Sequence, residues 1–160
     1  MKLSKPAVTM FAVCLVAALS GCASAPTPQA MRDATVSFRL PRLPDDGKAM
    51  IYVVRPSGLG GVIRFNVFVD DQEAASEVGY TRGNQYIYFN LAPGSHKIYS
   101  KAENWADADV SVKAGDVVYI KQDPSMGFIM ARNTIYKIED YEGKYHVKTL
   151  TLGTIEKAEK

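Results

Sequence analysis

Cys22 carries the most specific chemistry in the sequence. Its thiol follows Leu19, Ser20 and Gly21 in immediate succession. A leucine fills an apolar subsite, and two small residues let a peptidase bring the backbone close to its own site. The sulfur is a nucleophile able to take up a lipid group.

The residues ahead of Cys22 agree. Lys2 and Lys5 give a positive start, and residues 7–19 form a run of 13 in which only Thr9 is polar. That is the layout of a secretory leader. It is too short to span a membrane, which takes about 20 apolar residues. Together the run and Leu19-Ser20-Gly21-Cys22 resemble the bacterial lipobox, which implies a chain acylated on Cys22, cut between Gly21 and Cys22, and acylated again on the amine that the cut exposes. The expectation is a protein tied to a membrane that it does not span. Each buried CH₂ contributes about 0.8 kcal/mol, and stable anchoring takes more than one chain. The alternative is an ordinary secreted protein cut after Ala23-Ser24-Ala25. By the same resemblance, an aspartate after the cysteine goes with inner-membrane retention in enteric-type bacteria, so Ala23 favours the outer membrane; a periplasm-facing domain is the accompanying expectation.

Other chemistry is sparser. Cys14 leaves with the leader and Cys22 is acylated, so the mature domain offers no thiol for catalysis, disulfides or cysteine-ligated metal. His96 and His146 are the whole imidazole inventory. A Ser125–His96–Asp123 set suggests a hydrolase, but Ser125 lacks a G-x-S-x-G elbow. Glu103, Asp107 and Asp109 cluster near Trp105, yet calcium takes 6–8 oxygens and usually a glycine-assisted loop. Gly58-Leu59-Gly60-Gly61 fits no phosphate-binding pattern. No cofactor and no metal are expected.

Aromatic residues are the plentiful resource. In residues 85–91, Tyr86 and Tyr88 share one face, while Ile87, Phe89 and Leu91 share the other. With the aliphatic face inward, Tyr86 and Tyr88, with Trp105 nearby, form a candidate binding face for a sugar, peptide or protein. Cross-strand pairing alone is the plainer account of those tyrosines.

These side chains must be placed by strands. Residues 49–55 are almost continuously apolar, as in a central strand. Residues 62–69, about 74–79, 85–91, 95–102, 108–113, 117–123 and about 133–139 follow, separated by Gly, Pro, Asp and Asn turns. The pattern predicts an all-β antiparallel sandwich of about 7–8 strands without a disulfide. Residues 22–46, with four prolines, read as a flexible tether, the domain as 47–140, and 141–160 as a final strand (145–152) or tail. Met126–Arg132 lacks strand alternation; it is expected to pack over one end of the sandwich, the alternative being an exposed contact loop.

The whole chain has 19 basic and 17 acidic side chains, and losing Lys2 and Lys5 leaves 17 against 17. This balance excludes a basic nucleic-acid footprint.

Gly47-Lys48-Ala49 leading into Ile51–Gly58, Val67–Asp71, Leu91–Ile98, Lys113–Gln122 and Met126–Arg132 together resemble domain-of-unknown-function family 2846, small bacterial lipoproteins. The resemblance covers about residues 47–140 and implies an Ig/transthyretin-like fold and a lipid anchor, with no catalytic residues to carry over. The resulting expectation is a non-catalytic binding or structural module of the cell envelope, with the membrane and an envelope protein as partners. A carbohydrate or peptidoglycan binder using the tyrosine face is the alternative, and a hydrolase using His96 a third.

Overall fold

A computed structural model describes residues 25–158; Cys22 and the leader lie outside the described residues. The elements are α1 (Pro28–Thr35), β1 (Ala49–Arg55), β2 (Phe65–Val69), β3 (Glu77–Thr81), β4 (Gln85–Leu91), β5 (Gly94–Lys101), β6 (Trp105–Val112), β7 (Val117–Met126), β8 (Ala131–Ile138), α2 (Asp140–Thr149), β9 (Thr151–Leu152) and β10 (Thr154–Ile155). The strands form two five-stranded sheets. Sheet A has the order β8-β7-β1-β4-β9, and sheet B the order β10-β3-β2-β5-β6.

The β-sandwich is as the sequence leads one to expect, with two qualifications. The short strands β9 and β10, joined through Gly153, attach one to each sheet and stitch the β3–β4 edge. Sheet B is antiparallel throughout, but in sheet A β1 runs parallel to β7, and β4 parallel to β9.

All seven residues of β1 are buried, because sheet A is covered on both faces. Ala49, Ile51 and Val53 join Val67, Ile98 and Ile120 in the core between the sheets. Met50, Tyr52 and Val54 face the other way, into a second cluster with Tyr86, Tyr119, Ile138 and Val147. Gln122 crosses the inter-sheet core. Its amide group donates to Ser100 Oγ at 2.8 Å, and its carbonyl accepts from Thr81 Oγ1 at 2.5 Å.

The second cluster corrects two expectations. Residues 28–46 are not a free tether. Thr27 caps α1, accepting the Ala30 N–H, and Pro28 occupies the first turn, where its missing N–H costs nothing. Beyond α1, Phe38 and Leu40 pack on the outer face of sheet A. Tyr52 Oη donates to Arg42 O at 2.6 Å, and Asn90 holds both the backbone N–H and the carboxylate of Asp45.

Residues 145–149, expected as strand or tail, are helical. In α2, Asp140 and Glu142 occupy the first turn, and His146 and Lys148 the last, complementing the helix dipole. Gly143 lets the helix lie against the sheet, since a Cβ there would fall 2.1 Å from Tyr119 Cγ.

Candidate contact surface at the loop end of the sandwich

Four connections meet at one end of the sandwich: residues 56–64, 82–84, 102–104 and 127–130. Two buried or half-buried charges organise them. Arg55, the last residue of β1, is fully buried. Its guanidinium donates to Ile63 O at 2.7 Å and to Leu59 O and Gly60 O at 2.9 Å each. It also lies 3.6 Å from the centre of the Phe65 ring. Among the described residues no carboxylate pairs with it. Burial pulls its pKa down to about 10, so it stays charged at neutral pH, and charge-assisted bonds to three carbonyls take the place of a counter-ion.

Glu103, in the β5–β6 connection, does the converse. Its carboxylate accepts from the backbone N–H groups of Phe128 (3.0 Å), Ile129 (2.7 Å) and Met130 (2.6 Å). Those bonds, foremost that from Met130, hold its pKa down at about 2. Next to it, Asn104 bonds the backbone N–H and carbonyl of Asn133, tying the start of β6 to β8 in the other sheet. The two held loops touch. Gly60, at φ +59°, lies so close to Ala131 that a Cβ would fall 2.8 Å from the alanine's.

With the polar backbone groups of these loops turned inward, their apolar side chains point out. Phe128 is 96% exposed, Ile129 83%, Met126 81% and Val62 87%. This corrects the expectation that Met126–Arg132 packs over the sandwich; the exposed contact loop is what forms. Arg132 lies 4.0 Å from Glu103 with its side chain half exposed.

Cations share this end of the sandwich. Arg64 and Arg82 flank the Tyr80 ring at 4.4 and 5.2 Å, and Lys101 lies 4.5 Å over Trp105. Among the described residues none of these three has a carboxylate partner. At the opposite end carboxylates outnumber cations: Asp45, Asp46, Asp70, Asp71, Asp116 and Asp140 lie in or beside its turns with Arg42, Lys48, Lys113 and Lys144, Arg42 pairing with Asp45 and Lys144 with Asp140.

The other candidate residues are distributed differently. Tyr86 and Tyr88 do face away from the inter-sheet core. They join Tyr52 and Tyr119 in a ring cluster, with centroids 6.1, 5.6 and 5.6 Å from that of Tyr52, beneath Phe38 and Leu40. Burial raises the pKa of Tyr52 to about 12. Trp105 stands on the outer face of sheet B against Phe68 and Tyr99, so the three residues do not share a face.

His96 directs Nδ1 to the Asp70 carboxylate at 3.0 Å and Nε2 to Ala92 O at 2.9 Å, which fixes the turns at the acidic end. Ser125 lies at the far end of sheet A, paired with Arg132, and Asp123 accepts from Tyr136 Oη; the Ser125–His96–Asp123 set is not assembled. Asp107 and Asp109 both hold Lys97 Nζ, at 3.1 and 3.4 Å. Among the described residues no three His, Cys, Asp or Glu side chains converge to hold a metal.

Arg55 and Glu103 escape a reading by motif, because each acts on backbone. The available signal for Arg55 is a lone cation closing an otherwise apolar strand before a glycine-rich loop.

The chain is similar to an uncharacterized protein of Haemophilus influenzae (strain ATCC 51907 / DSM 11121 / KW20 / Rd), with 23% identity over 136 residues that cover 84% of this chain and 77% of the relative. The family described as protein of unknown function DUF2846 matches residues 45–135, a span that runs from the approach to β1 into β8 and takes in both Arg55 and Glu103. The chain belongs to the DUF2846 family.

Proposed function

We propose that this protein is a lipid-anchored, non-catalytic binding module of the bacterial envelope whose contact surface is the loop end of the sandwich. The observation that supports this reading is the triple N–H grip of Glu103 on residues 128–130, which holds an apolar tip outside the core. Exposed apolar residues scattered singly need no explanation, but a contiguous group held in one conformation marks an interaction site. The anchor belongs to the reading of residues 1–24: acylation of Cys22, cleavage after Gly21, and retention at the outer membrane facing the periplasm.

Two measurements test it. Mass spectrometry of the mature N-terminus, with Cys22→Ser as control, is expected to find an acylated Cys22; an unmodified terminus refutes the anchor. A photoreactive residue in place of Phe128 is expected to cross-link an envelope component in cells, and one in place of Lys113, at the opposite end, is not. Equal labelling from both positions removes the loop end as the contact surface.

A further inference from the structure

We infer that the loop end docks on the anionic surface of a phospholipid bilayer. This rests on reading that end as the contact surface and names what it contacts. Three observations converge on a bilayer.

The first is the backbone. A segment entering the boundary between headgroups and acyl chains loses water from its peptide groups, and an unsatisfied N–H or C=O is costly there. Six backbone groups of the two loops meet that requirement beforehand. The N–H groups of Phe128, Ile129 and Met130 are bonded to Glu103, and the carbonyls of Leu59, Gly60 and Ile63 to Arg55. The side chains that face outward there are hydrocarbon, an aromatic ring and a thioether.

The second is shape. Phe128, Ile129 and Met126 project from a hairpin tip, and Val62 from the loop beside it, each more than four-fifths exposed. A projecting apolar tip enters a fluid interface without needing a preformed cavity.

The third is charge. Arg64, Arg82 and Lys101 rest on aromatic rings without a carboxylate partner among the described residues. Arg132 faces a carboxylate already engaged by three N–H groups. Cations at the same end as an apolar tip are drawn to anionic headgroups within about a Debye length. The acidic turns at the other end are repelled, so the molecule is oriented loop end first.

The test uses the full chain carrying Trp105→Phe and Phe128→Trp, which places its one tryptophan at the tip. Vesicles of phosphatidylglycerol mixed with phosphatidylcholine, with and without brominated acyl chains, are the probe. The expected result is a blue-shifted emission quenched about twofold by bromine. Adding Arg64→Gln with Arg132→Gln lowers the apparent vesicle affinity about tenfold or more, as does raising the salt. The native chain, with Trp105 alone, is the control, and its emission is not quenched.

A tip tryptophan that remains accessible to aqueous iodide in the presence of vesicles overturns the inference, as does equal quenching with phosphatidylcholine alone. A blue shift that depends on protein concentration without lipid also overturns it, assigning the tip to a second copy of the chain. Repeating the measurement with Cys22→Ser separates the two readings. Quenching at position 128 in that variant stands without an anchor, whereas an acylated chain with an unquenched tip refutes docking and leaves the anchor in place.

Discussion

Arg55 and Glu103 hold neighbouring loops by opposite halves of the peptide group. The guanidinium takes three carbonyls of residues 59–63, and the carboxylate takes the three amides of residues 128–130. Charges of opposite sign at one end of a sandwich usually meet in an ion pair. Here each is spent on main chain instead, and the loops they hold are fixed with their apolar side chains outward.

The Glu103 grip sets a pH window. Its folded-state pKa is depressed to about 2 from an ordinary 4.5, so its contribution is complete above about 4.5 and is lost as pH falls toward about 2. Amide chemical shifts of residues 128–130 are expected to hold steady from neutral pH to about 3.5 and to move together below it. Glu103→Gln is expected to remove amide-exchange protection at 128–130 at neutral pH. Unchanged protection in that variant contradicts the grip.

Gly143→Ala pits two effects against each other. Helix propensity alone favours alanine by about 1 kcal/mol. The Cβ, however, would fall 2.1 Å from Tyr119 Cγ and 2.6 Å from its Cβ, so α2 has to lift from the sheet. Overpacking of this kind costs about 1–3 kcal/mol, and a net loss is expected in urea melts. A gain in stability contradicts the close approach.

The buried Gln122 bridge is expected to behave asymmetrically. Gln122→Leu leaves the hydroxyls of Thr81 and Ser100 without their partner, at about 1–3 kcal/mol for each. Replacing all three with apolar residues (Thr81→Val, Ser100→Ala, Gln122→Leu) is expected to recover most of that loss. Equal destabilisation by the single and triple variants refutes the pairing.

His146 makes α2 acid-sensitive. Its pKa is lowered first by burial and then by Lys121, against the opposing pull of Glu142 and Asp123. The unfolded chain therefore takes up a proton first as pH drops below 6.5, and stability falls from there until the folded-state pKa is passed. Above 6.5 the effect is absent. Melts at about pH 7.5 and about pH 5.5 are expected to differ by less in His146→Gln than in the native chain.

The strands were legible because burial follows alternation. Ile87, Phe89 and Leu91 against Tyr86 and Tyr88 give the facing of β4 directly, and the apolar run of β1 identifies a central strand. The covering of the tyrosine face was not legible, since it is made by Phe38 and Leu40 in a proline-rich stretch with no period of its own. The α2 helix was hidden for a related reason. Gly143 reads as a helix breaker unless Tyr119 is known to lie under it, and Val147 with Thr149 imitates strand alternation. The loop end was half legible. Met126–Arg132 stood out as apolar without period, but its fate rested on Glu103, some 25 residues away and plausible on paper as a cation ligand.

The parallel pairing of β1 with β7 bears on how the chain reaches this state. Met50 aligns with Val117, so the first long strand to be synthesised waits for one of its two neighbours more than sixty positions later, after the polypeptide has passed through β2, β3, β5 and β6 of the opposite sheet. Such distant closure makes folding slow. A nascent chain lacking the segment from Val117 onward pairs β1 with β4 alone and leaves its other ladder open at the centre of the sheet.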